Sequence, residues 1–79
     1  MPHVIVKLWP GNSPEQKQAL SDAIAHEVSD KLGSGAHSIS IAFEEVDPQD
    51  WTQQVFEPEI LGKWDQLAKE PGYGPRPPD

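Results

Sequence analysis

Val4-Ile5-Val6-Lys7-Leu8-Trp9-Pro10-Gly11-Asn12-Ser13-Pro14-Glu15-Gln16 decides the fold, because strand, turn and helix start follow one another without a gap. The β-branched run within residues 2–8 reads as a strand, and Trp9-Pro10-Gly11-Asn12 is turn-prone. Ser13-Pro14-Glu15-Gln16 is a capping box with proline at the first helical position. Leu20, Ile24, Val28 and Leu32 then recur every fourth residue until Gly33, which predicts an amphipathic helix. After the loop Gly33-Ser34-Gly35-Ala36, the segment 38–44 alternates large apolar with small or polar residues, predicting a second strand with Ile39, Ile41 and Phe43 on its buried face. Strand, long helix and strand make a βαβ unit with parallel strands and a right-handed crossover.

Asp47-Pro48-Gln49-Asp50 reads as another cap, opening a brief helical turn through Trp51 that Glu57-Pro58 interrupts. Ile60, Leu61, Trp64, Leu67 and Ala68 fall at helical spacing and predict a C-terminal amphipathic helix that Pro71-Gly72 stops. Residues 72–79 are rich in Pro and Gly and lack an apolar anchor, so they read as a loose tail or one docked on a neighbour. The fold class is therefore α/β, in one domain spanning residues 1–79. Two strands are too few for a stable sheet. A second copy would supply the missing strands, giving a homodimer with a shared four-stranded sheet and the helices packed on it.

The composition narrows the function. Thirteen acidic residues against six Lys and Arg leave a net charge of −7, which repels phosphate backbones and anionic lipid surfaces. Nucleic acid and membranes are not expected partners. The absence of cysteine removes disulfides, thiolate nucleophiles and thiolate metal sites, and suits a reducing cytoplasm. His3, His26 and His37 are scattered without ligand spacing, so no metal is expected. Glu44, Glu45 and Asp47 follow a strand end and read as a solvated acidic turn.

The chemistry-bearing feature is Pro2. Once Met1 is removed, its nitrogen becomes a secondary amine that can take up a proton, where an amide cannot. Burial against apolar side chains would favour the free base, and the net negative charge opposes that. Lys7, His3 or a partner's copy of Arg76 would be the nearby cation that tips the balance.

The Met-Pro start, the helix opening Ser13-Pro14-Glu15-Gln16-Lys17, the strand 38–43 and Pro48-Gln49-Asp50-Trp51 resemble the 4-oxalocrotonate tautomerase family over nearly the whole chain. An added C-terminal helix and Lys69-Glu70-Pro71-Gly72-Tyr73 resemble its longer, dimeric members. The resemblance implies a cofactor-free isomerase, a keto-enol tautomerase in which Pro2 is the catalytic base. It also implies substrate-binding positions. Members acting on dicarboxylates carry arginines where this chain has Asn12 and Ser40, and an aromatic that caps the pocket aligns with Trp51. The loss of both arginines predicts an apolar or aromatic 2-keto acid, such as phenylpyruvate in its enol form. Asn12 and Ser40 would then donate uncharged hydrogen bonds, and His3, next to the base, is a further candidate for contact with substrate. No cofactor is called for. Two alternatives remain at this stage: a hydratase or dehalogenase acting on unsaturated acids through the same Pro2, or a non-catalytic dimeric binding protein if Met1 is retained.

Overall fold

A computed structural model describes residues 1–78 and resolves two compact units, Met1–Glu45 and Val46–Asp79. The first begins with β1 (His3–Leu8), continues into α1 (Pro14–Leu32) and ends with β2 (Ser40–Glu45). The strands run parallel in the register His3↔Ser40 through Leu8↔Glu45, as the βαβ reading requires. Pairing in this register places Val4, Val6 and Leu8 on one sheet face with Ile41, Phe43 and Glu45. The other face carries His3, Ile5 and Lys7 with Ser40, Ala42 and Glu44.

The predicted capping box is present in full. Ser13 accepts from the Gln16 N–H at 3.1 Å, and the Gln16 side chain accepts from the Ser13 N–H at 2.9 Å. Two donors that the first turn leaves without helical partners are thereby satisfied. At the other end Gly33 adopts φ 69°, the left-handed conformation that glycine reaches without a side-chain clash, and its N–H bonds the Ser29 carbonyl. The helix packs on the Phe43 face: Lys17 reaches Glu45 at 2.7 Å, and Leu20 lines a cleft with Leu8 and Phe43. β2 starts two residues later than the alternation suggests. The amide and the hydroxyl of Ser38 both bond the Gly35 carbonyl, at 3.0 and 2.8 Å, and hold residues 36–38 in a 3₁₀ turn.

In the second unit the predicted break at Glu57-Pro58 does not occur. The turn α2 (Pro48–Trp51) continues as a π-helical stretch, Thr52–Ile60, and closes as 3₁₀ helix over Leu61–Gln66. Proline disrupts an α-helix because it lacks an N–H and crowds the carbonyl four residues back. Widening the turn relieves that geometry, and the chain passes Pro58 without stopping. The Leu61 N–H shares the carbonyls of Phe56 and Glu57 as the helix narrows again. The C-terminal helix thus begins earlier than its apolar spacing indicates and ends at Gln66, with a kink at Lys63.

Val55 and Phe56, at 5% and 4% exposure, are the buried hydrophobic residues among those described. Residues following the helix pack back on this small core. The Tyr73 ring lies 5.7 Å from that of Phe56, and a Cβ on Gly74 would sit 2.7 Å from the Phe56 ring. Arg76 lies over Trp64 at 5.3 Å and pairs with Glu70 at 3.1 Å. The segment read from sequence as a tail therefore makes contacts from Tyr73 through Arg76; Asp79, its last residue, lies outside the described residues.

Candidate active site

Three of the sequence-predicted residues meet at one end of the parallel ladder. Pro2 is half-buried, and its carbonyl accepts the Ser40 N–H at 3.1 Å, extending the β1–β2 pairing one residue beyond the strand. His3 stands directly opposite Ser40, and their side chains touch: His3 Nδ1 lies 2.6 Å from Ser40 Oγ. The backbone rung fixes where Pro2 sits, and the side-chain contact fixes two polar groups beside it. Met1 projects into solvent, fully exposed. With Met1 attached, the Pro2 nitrogen is an amide.

Asn12 is placed elsewhere. It follows β1 and lines a cleft of about 190 Å³ with Leu8, Gln16, Lys17, Leu20 and Phe43, on the sheet face that carries the helix. The five steps between the six strand residues, at about 3.3 Å each, separate the two ends of β1 by about 17 Å. A single βαβ unit therefore does not bring Asn12 to Pro2.

Trp51 belongs to the second unit, half-buried at the end of α2. Its indole Nε1 donates to the Tyr73 hydroxyl at 3.0 Å. Tyr73, Phe56, Thr52 and Leu61 line a shallow, mainly apolar cleft of about 160 Å³. Sequence reasoning missed Tyr73. Twenty-two positions separate it from Trp51, and no periodicity links two residues joined by a returning chain.

The candidate cations are occupied. Lys7 pairs with Glu44 at 3.7 Å and Arg76 with Glu70 at 3.1 Å. Among the described residues no cluster of His, Cys, Asp or Glu could hold a metal ion, and no helix is long and apolar enough to cross a membrane. The ladder end thus brings together the Pro2 backbone, bonded through its carbonyl to the Ser40 N–H, and a hydroxyl–imidazole pair formed by Ser40 and His3.

Comparison with known proteins identifies relatives of this chain. The family described as "Tautomerase enzyme" matches residues 2–58. A probable tautomerase of Xylella fastidiosa is 46% identical over 74 residues, covering 94% of this chain and 90% of that protein. Tautomerase PptA of Pectobacterium carotovorum is 40% identical over 74 residues, covering 92% and 97% respectively. Tautomerase PptA of Escherichia coli is 36% identical over 77 residues with the same coverage.

Proposed function

Because the chain belongs to the tautomerase family, and is an isomerase of that kind, we propose that it ketonises the enol forms of 2-keto acids such as phenylpyruvate with Pro2 as general base. Removal of Met1 frees the nitrogen. The amine takes the enol hydroxyl proton and returns a proton to the adjacent carbon, so that enol becomes ketone and the amine is regenerated with no co-reactant. Backbone N–H groups and the Ser40 and Asn12 side chains would stabilise the substrate's carboxylate and developing enolate through hydrogen bonds. Trp51 would form an apolar wall against the substrate's side chain, consistent with an aryl group.

The observation that carries this reading is the hydrogen bond from Ser40 N–H to the Pro2 carbonyl, which anchors the residue bearing the base to the sheet. A general base must be held within hydrogen-bonding reach of the proton it takes, and a frayed terminus would not be. Full exposure of Met1 supports its access to a processing peptidase.

A homodimer is part of the proposal. It is supported by the two-stranded sheet, by a described core of two buried hydrophobic side chains, and by the position of Asn12, which a second copy would have to supply to a common site. A cytoplasmic location fits the lack of cysteine.

The test is an intact mass of untagged protein followed by an ultraviolet assay of phenylpyruvate ketonisation in the same sample. The expected result is a mass short by one methionine with turnover above the buffer rate, and no turnover when Met1 is retained. Equal turnover by the Met1-retained and processed forms would rule out Pro2 as the base.

A further inference from the structure

We infer that His3 is a positioning residue that sets whether the Ser40 hydroxyl donates or accepts a hydrogen bond, and that an anionic ligand selects the donating arrangement. The inference rests on the proposed site at Pro2. Ser40 is held there by two contacts, its N–H to the Pro2 carbonyl at 3.1 Å and its Oγ to His3 Nδ1 at 2.6 Å. Among the described residues of the two strands, the acidic and basic side chains on this sheet face are Glu44 and Lys7, which lie toward its far end and pair with each other.

A serine hydroxyl carries one proton and can direct it to one partner at a time. When Nδ1 is bare, with the ring proton on Nε2, Ser40 donates to the imidazole and turns only lone pairs outward. A carboxylate or enolate oxygen meeting those lone pairs is repelled. When Nδ1 carries the proton, the imidazole donates to Ser40, and the hydroxyl proton is free to bond an anionic oxygen. Both side chains are exposed, so the ligand and the outer Nε2 can exchange protons with water. The ligand class follows from this polarity: one carboxylate or enolate oxygen received by a neutral donor, in place of a guanidinium.

The probe is 3-phenylpropanoate, a carboxylate of the expected shape that cannot enolise. Its binding is followed through the ring ¹⁵N resonances of His3, with His26 and His37 as internal references. The expected result is that Nδ1 shifts to the protonated position as ligand is added, and that the shift is lost in Ser40→Ala. In dissociation constants, His3→Asn should stay within about threefold of the natural protein, because its amide N–H₂ can donate to Ser40. His3→Asp accepts only, and should weaken binding about ten- to a hundredfold, the worth of one hydrogen bond to a charged group. Ser40→Ala should lose as much, and adding His3→Asp to it should cost far less than in the natural protein.

An equal cost of His3→Asp in both backgrounds would mean simple charge repulsion and would overturn the inference. So would an unmoved Nδ1 resonance, or no binding by the natural protein. Because binding needs no turnover, the two readings separate. Binding with this signature in a protein that ketonises no enol counts against Pro2 as the base, whereas Pro2-dependent turnover with an unmoved Nδ1 counts against His3.

Discussion

Replacing Pro2 with Ala leaves a terminal amine in place but removes the ring that makes it secondary and restrains its direction. Activity should fall without vanishing, and by less than the roughly 10²- to 10⁴-fold that a positioned general base contributes. Comparing kcat/KM for Pro2→Ala with the blocked, Met1-retained form measures this directly; equal values for both would show that a primary terminal amine contributes nothing in place of the proline nitrogen. A second single-residue test concerns Tyr73, which receives the Trp51 indole proton at 3.0 Å. Tyr73→Phe deletes that acceptor and keeps the ring that packs on Phe56 at 5.7 Å. Stability should drop by about 0.5–1.5 kcal/mol. The Trp51 indole N–H resonance should move, and KM for an aryl substrate should rise more than kcat falls. An unmoved indole resonance would mean that Tyr73 does not orient Trp51.

Within elements, the contrast between the two units shows what short-range signals can specify. The capping box at Ser13 and Gln16 and the stop at Gly33 are local chemistry, legible because each partner lies within four residues. Parallel pairing follows from the length of the crossover helix, and the register then sets His3 against Ser40. The passage through Pro58 was not legible, because α-helical spacing and the rule against internal proline both assume an α-helix. Trp51 with Tyr73 was illegible for another reason: tertiary return of the chain leaves no periodic trace. Two substitutions probe these elements. Ser13→Ala should lower unfolding free energy by about 1 kcal/mol in urea melts, the usual worth of an N-cap, with the fold intact by circular dichroism. Gly62→Ala would place a Cβ 2.9 Å from the Glu57 carbonyl oxygen, across the widened turn. It should cost about 1–3 kcal/mol, as overpacking does. A neutral result would mean that the π-helical turn relaxes without loss.

Across the whole molecule, the core described in one chain is small for a domain of 79 residues. No residue of α1 is buried, Leu20 and Leu32 are 44% and 68% exposed, and Ile5 is 47% exposed on its sheet face. Each strand of the two-stranded sheet also leaves an edge unpaired among the described residues, a template for further strands. Chains of this length bury only about 60% of their unfolded surface when monomeric, so association is a large share of the stability available. If a second copy covers these surfaces, folding and association are linked, and the midpoint of thermal unfolding must rise with protein concentration. Sedimentation equilibrium should give twice the 8.7 kDa chain mass at micromolar concentration, and the melting temperature should climb by several degrees over a hundredfold concentration range. A single-chain mass with a concentration-independent melt would show that one chain is stable alone, and would leave the Asn12 cleft separate from Pro2.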